Sequence, residues 1–229
     1  MEDSFTLTLS GTSSVLEAGY FPPIELSPYK NYALGLIELL TFNSIPNVDT
    51  DHNKLYVGDE VITIPTGSYE IEDIENYVHS ALTDKSIVIQ IKPNNNTLCS
   101  EIKCKRDVDF RPNDSIGRLL SFTQGVLKAN KLHTSDVPVA ILKVNALRVE
   151  CNVTTGAYIN ERKVHTIHEF FPVVPPGYKI IEVPSHVIYL PIATKTIDHL
   201  QLRIVDQDGD LVNFQGEVIT IRLHVRCMR

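Results

Sequence analysis

The sequence predicts an all-β protein, a sandwich or barrel, and three observations carry that expectation. In Glu217–Arg226, the residues Ile219, Ile221, Leu223 and Val225 alternate strictly with Thr220, Arg222, His224 and Arg226. That is the period-2 pattern of a strand with one face buried and one face wet. His199–Val205 alternates in the same way, with Leu200, Leu202 and Ile204 set against Gln201 and Arg203. Secondly, strand-like runs recur along the chain with no βαβα rhythm. Thirdly, the 13 prolines fall almost wholly between those runs, where a strand ladder has to end.

Taken in order, the first strand is expected at Phe5–Leu9. A Ser/Thr/Gly-rich stretch follows to about Gly19, so residues 1–19 read as a flexible arm. Tyr32–Phe42 is apolar on both faces (Leu34, Leu36 and Leu40 against Ala33, Ile37 and Leu39) and reads as a strand buried on both sides. Further strands are expected at Leu55–Val57, Val61–Ile64, Ile87–Ile91, Leu98–Lys103, Val139–Cys151, Ile159–Phe170, Ile180–Val183 and Val187–Leu190.

Two segments depart from this rhythm. Ile71, Ile74, Val78 and Leu82 recur every three or four residues and make one helical stripe over Glu70–Leu82. Ser68 is placed to cap that helix, and Glu70, Glu72 and Asp73 suit its positive end. A shorter turn of helix is expected at Asp114–Leu120, with Ile116, Leu119 and Leu120 facing inward. No composition shift marks a second domain. The terminal pair reads as a hairpin joined by the acidic turn Asp206–Asp210, whose last strand completes the core.

Bulk properties exclude several function classes. Apolar content of 43% and charged content of 21% argue against disorder. A net charge of −7 and the lack of tryptophan leave no electrostatic footprint or stacking platform for nucleic acid. The longest basic group, Lys103-Cys-Lys-Arg106, is followed by Asp107 and Asp109 and reads as a solvated turn. The first ten residues lack the basic and apolar regions of a signal peptide. No run approaches the roughly 18 apolar residues of a membrane span. Cys99, Cys104, Cys151 and Cys227 form neither a CxxC pair nor a dense disulfide framework and are expected to be free thiols. The sequons at Asn95 and Asn152 are then expected to be unmodified.

The candidates for chemistry are few. Asp206, Asp208, Asp210 and Glu217 match positions 1, 3, 5 and 12 of a calcium-binding EF-hand loop, but Leu211 stands where that loop demands glycine and the flanks are strands. These four are the weak metal candidates, and an acidic turn is the favoured reading. His165, His168 and Glu169 look metal-like, yet residues three apart on a strand point to opposite faces. Cys151 has only distant histidines, and His199 and His224 lie on the terminal strands. There is no Gly-x-Ser-x-Gly and no phosphate-cradling glycine loop. Neither a catalytic site nor a cofactor is expected.

Four phrases carry a resemblance: Ile64-Pro-Thr-Gly-Ser-Tyr-Glu-Ile-Glu-Asp-Ile74, Asp109-Phe-Arg-Pro-Asn-Asp-Ser-Ile-Gly-Arg-Leu-Leu-Ser-Phe122, Phe170-Phe-Pro-Val-Val-Pro-Pro-Gly177 and the Ile219–Arg226 ending. In order and spacing they resemble the minor capsid (penton) proteins of Polinton/Maverick elements and adintoviruses. One departure is Leu120-Ser121-Phe122, where the family pattern has Leu-Gly-Phe. The resemblance implies a single jelly roll of two four-stranded antiparallel sheets over residues 20–229, with residues 66–125 as a helix-containing elaboration. It implies a virion protein, a homopentamer at the fivefold vertices of an icosahedral shell, beside a double-jelly-roll major capsid protein. A carbohydrate- or calcium-binding jelly-roll module and a host-domesticated copy are the alternatives.

Overall fold

The computed structural model describes residues 4–139 and 144–228. Eight antiparallel strands, labelled in chain order, build a β-sandwich: β1 (Ser4–Gly11), β2 (Val15–Glu25), β3 (Tyr32–Phe42), β4 (Leu147–Cys151), β5 (Thr166–Phe170), β6 (Lys179–Glu182), β7 (Thr196–Val205) and β8 (Ile219–Cys227). One sheet has the order β1-β8-β3-β6 and the other β5-β4-β7-β2. Every link except β4–β5 passes from one sheet to the other, which is the jelly-roll winding. The fold class expected from the sequence therefore holds.

Both alternating runs expected near the end are strands, but they do not form a hairpin. β7 pairs with β4 and β2, while β8 pairs with β1 and β3. The acidic turn thus begins a connection between sheets. β8 lies in the interior of its sheet, and Ile219, Ile221, Leu223 and Val225 are all fully buried in the inter-sheet core. The opposite face carries Thr220, Arg222, His224 and Arg226, as the alternation requires.

Residues 4–19 do not form a flexible arm. Ser4–Gly11 is in register with β8 along its whole length, from Ser4 opposite Arg226 to Gly11 opposite Ile219. Phe5, Leu7 and Leu9 give this segment its own period-2 face, with Leu7 and Leu9 buried, while its serines and threonines occupy the other face. Leu16 in β2 is buried as well. Composition concealed this, because Ser and Thr are as compatible with the outer face of a strand as with a loop.

β3 matches its expected span, and its double-faced apolarity has a local cause. The sixth strand is interrupted: β6 pairs with Leu39–Phe42, and Leu190–Pro191 then pairs with Leu34 and Ala33. The residues between bulge over β3 so closely that a Cβ on Gly35 would lie 2.5 Å from Val187 Cγ1 and 2.8 Å from the Ile188 carbonyl. Only glycine fits there. Of the expected Val139–Cys151 strand, 147–151 is present and 140–143 lies outside the described residues. The expected Ile159–Phe170 strand is divided into the hairpin Ala157–Ile159/Arg162–Val164 and β5.

The chain divides into two compact units: residues 1–45 with 144–229, and residues 46–143. This corrects the expected single domain with a 66–125 elaboration. The second unit is inserted whole between β3 and β4 and has a core of its own, built around Leu55, Ile64, Ile74, Ile89, Ile102 and Phe110. Its helix α1 (Ile71–Ala81) buries Ile71, Ile74 and Val78. Glu70, not Ser68, caps it: the Glu70 backbone N–H donates to Asp73 Oδ2 at 3.1 Å, because the helix starts two residues later than the serine would need. The 3₁₀ turn Ile116–Arg118 lies inside the expected 114–120 segment. It is tied to the strand Lys54–Val57 by Asp114, which accepts from Lys54 Nζ and Tyr56 Oη, each at 2.8 Å. Those two donors hold the Asp114 carboxyl below the usual carboxylate range.

Ser121 occupies φ +60°, in the left-handed region where glycine is unstrained. This gives a physical reason for glycine in the family pattern at that position.

Two outcomes follow. Burying four branched side chains on β8 contributes roughly 6–12 kcal/mol before entropic costs, comparable to the whole net stability of a domain. A chain truncated before Glu217 is therefore expected to lose the cooperative thermal transition of the sandwich, monitored by circular dichroism. At position 121, glycine is expected to be about 1 kcal/mol more stable than alanine, read from urea unfolding of the two variants.

Candidate functional site

The sequence-derived metal candidates do not converge. Asp206 Oδ1 accepts the backbone N–H groups of Asp208 at 2.9 Å and Asp210 at 3.0 Å, and the Asp206 N–H donates to the Asp210 carbonyl at 2.9 Å. The carboxylate that would be first in an ion-binding loop is thus turned onto its own backbone as an Asx turn. Asp208 and Asp210 are exposed, and Glu217 sits beyond Phe214, to whose carbonyl its backbone N–H donates. No group of three or more His, Cys, Asp and Glu residues placed to hold a metal ion occurs among the described residues.

The histidines have structural partners. His165 Nδ1 lies 2.8 Å from the Thr154 carbonyl, whereas His168 Nε2 lies 2.8 Å from Glu182 Oε1. Glu169 accepts from Arg148 Nε at 2.8 Å. The three members of the metal-like phrase therefore serve three separate contacts. His224 Nδ1 meets Tyr189 Oη at 2.8 Å, and the Arg226 guanidinium stacks 3.6 Å from the Tyr189 ring centroid. His199 is exposed beside Glu17, 4.0 Å away. Cys151 is fully buried, and burial pushes its thiol up to about 11, which leaves it protonated and unreactive.

Open clefts occur among the described residues, and two bear on the candidate chemistry. One, of about 690 Å³, runs over the β4–β7 surface, where Arg148 also donates to the Gln207 carbonyl and Arg203 pairs with Glu150 at 2.9 Å. The other, of about 470 Å³, lies in the inserted unit. There Asp136 accepts the Thr123 N–H at 2.8 Å and Gln124 donates to Asn113 at 3.0 Å. Among their lining residues, neither cleft sets a nucleophile against a base.

Exposed apolar side chains occur on both units, and those on the sandwich include a run around β6. Phe171, Val173, Tyr178, Ile181, Val183 and Ile188 are between 59% and 89% exposed. All six lie within one stretch of chain formed by β6 and its flanking connections. This stretch is held in place. Asn43 donates from Nδ2 to the Val174 carbonyl at 2.7 Å and from its backbone to the Tyr178 carbonyl, and it accepts from the Gly177 N–H. The His168–Glu182 pair ties β5 of one sheet to β6 of the other. At the β2 edge, register with β7 slips between Ile197 and His199, so Tyr20–Pro23 bulges from β2 and leaves Phe21 fully exposed. Tyr29, in the next turn, is 95% exposed. Sequence reasoning missed both features because Phe170-Phe171 and Tyr20-Phe21 follow no period that separates inward from outward side chains.

No family model matches the sequence, and no curated protein matches it. Among solved structures, the crystal structure of the mavirus penton protein matches over 99% of this chain and 100% of its own, with a TM-score of 0.53 at 14% identity. That likeness establishes a shared fold. The D2–D3 domains of the flagellar cap protein FliD from Escherichia coli cover 89% of this chain at 12% identity, but the TM-score of 0.17 carries no argument.

The geometry of the acidic turn yields a direct test. Asp206→Ala is expected to cost about 1–2 kcal/mol through loss of two backbone hydrogen bonds, while Asp208→Ala is expected to be neutral. Calcium should shift the melting temperature of neither variant nor of the parent. A calcium-dependent rise in the parent, abolished by Asp208→Ala, would establish the turn as an ion site instead.

Proposed function

We propose that this chain is a structural capsid protein, a penton subunit of the Polinton/Maverick and adintovirus kind, forming homopentamers at the fivefold vertices of an icosahedral shell. The observation that carries the reading is the fold correspondence with the mavirus penton protein, which runs the length of both chains and so spans sandwich and insertion alike. The residues support the same reading. His165, His168, His224, Glu169 and Asp206, singled out for chemistry, are tied into strand and turn contacts. A catalytic role has no assembled residues behind it, and the reading is of a non-enzymatic protein without a cofactor.

On this reading the chain has two protein partners, further copies of itself and a double-jelly-roll major capsid protein around the vertex. Its net charge of −7 disfavours direct contact with packaged nucleic acid. No helix among the described residues is long and apolar enough to cross a membrane. The protein would be made in the host cytoplasm and assembled into the virion there or in the nucleus.

Light scattering on the purified protein is expected to give five times the 25.7 kDa chain mass. A strict monomer at high concentration would count heavily against the pentamer.

A further inference from the structure

Among the described residues, four strands end the two sheets of the sandwich, β1 and β6 in one and β2 and β5 in the other. An open strand edge presents unpaired N–H and C=O groups to any extended chain, and natural sheets blunt it with proline, charge, bulges or shortness. Three of these edges are blunted. β2 carries Pro22 and Pro23 at a slip of register, β5 is five residues long and slips against β4, and β6 breaks off for the bulge before Leu190. β1 has none of these devices. Its eight residues, Ser4-Phe-Thr-Leu-Thr-Leu-Ser-Gly11, contain no proline and no charge, and they follow β8 without a slip. Every second residue of such an antiparallel edge strand turns its N–H and C=O away from its neighbour. Among the described residues, no backbone–backbone hydrogen bond outside the β8 ladder involves residues 4–11.

We propose that the outer edge of β1 receives an extended segment of the second shell protein, which joins the sheet as an added strand. This rests on the capsid reading given above. The edge itself sets the occupant's backbone, since donors and acceptors repeating every second residue are matched in full by another extended chain. Its side chains follow from the two faces of β1. Leu7 and Leu9 are buried and Phe5 is half-buried against the core, so the inward positions of the added strand are apolar. Outward, Ser4, Thr6, Thr8 and Ser10 form an exposed hydroxyl row, and Ser10 Oγ already meets Thr220 Oγ1 of β8 at 2.7 Å. Hydroxyl side chains fit that face. Copies of this chain do not supply such a segment. Their β2, β5 and β6 edges are blunted, and β1 paired with β1 closes a twofold dimer that has no place in a fivefold ring.

Residue-resolved amide hydrogen exchange tests this, on the chain alone and on the chain co-purified with the second shell protein. In the chain alone, slow and fast amides are expected to alternate along β1. In the complex, the fast set is expected to slow by roughly tenfold or more, as amides entering a ladder do. The variant T6K/T8K places two charges on exposed positions of the edge, so it should melt within a few degrees of the parent yet bind the second protein at least about tenfold more weakly. The proposal is overturned if the complex forms while the fast amides stay fast, or if T6K/T8K binds as the parent does. It is equally overturned if the chain alone dimerises and already protects them. Failure of the parent to bind the second protein would instead remove the shell partnership on which the proposal stands.

Discussion

The structure depends on one placement: β8, the last strand of the chain, lies between β1, the first, and β3. Its outer face and its core face are both committed. Inward, Ile219, Ile221, Leu223 and Val225 are fully buried against the other sheet. Outward, Arg222 pairs with Glu38 at 3.2 Å, and His224 and Arg226 hold Tyr189 over the sheet. Without β8, β1 has no neighbour in its sheet and β3 loses one side. The ladder between the ends of a chain over 200 residues long is among the most non-local contacts a fold can contain, and such contacts form slowly because loop closure precedes their reward.

Against that background the inserted unit is less disruptive than its length implies. Loop-closure entropy rises by only about 0.6 kcal/mol for each doubling of a flexible connection. The insertion also has a core of its own, and no residue belongs to both hydrophobic clusters. It enters at the β3–β4 link, after Ile45, and returns at Val144. In a winding where nearly every link already passes between sheets, lengthening one link leaves the strand order unchanged. The jelly roll tolerates the insertion because its register is set by pairs such as Leu223 with Leu36 and Val149 with Ile204, not by the length of what joins them.

Much of this was legible in the sequence, and the limits have definite causes. β3, β7, β8 and α1 are long, and their apolar periods are unambiguous. β1 was visible through Phe5, Leu7 and Leu9, although its serines and threonines also fit a loop. β2 was hidden because Gly19, Pro22 and Pro23 interrupt it, and a bulge restores its pairing only by looping out residues 20–23. The hairpin reading of β7 and β8 failed for a different reason: alternation reports which face is buried and not which strand lies alongside. The second unit was missed because its core uses the same Leu, Ile and Val as the sandwich, leaving no change of composition at its boundaries. At the candidate sites, the acidic turn was doubted because Leu211 replaces the glycine of an EF-hand loop between strand flanks, and the histidine phrase because its spacing suits no strand-borne metal site. Their actual partners, such as Glu182 for His168, are set by the fold.

The polar groups singled out for chemistry are largely taken up in holding the strands together. A catalytic site needs side chains whose hydrogen-bonding capacity is left for a substrate. Here the groups best suited to that work are consumed in holding strands. Glu150 engages Arg203 and Glu169 engages Arg148 across neighbouring strands, His168 and Glu182 link the two sheets, and Asp206 satisfies its own turn. Each of these contacts is worth little near a surface, but together they fix the side chains that could otherwise have moved onto a ligand. Phe21, Val173 and Ile181 have no such assignment. Their exposure costs hydrophobic free energy at roughly 25 cal/mol per Å² for as long as it lasts, and covering them recovers it without any polar partner having to be displaced.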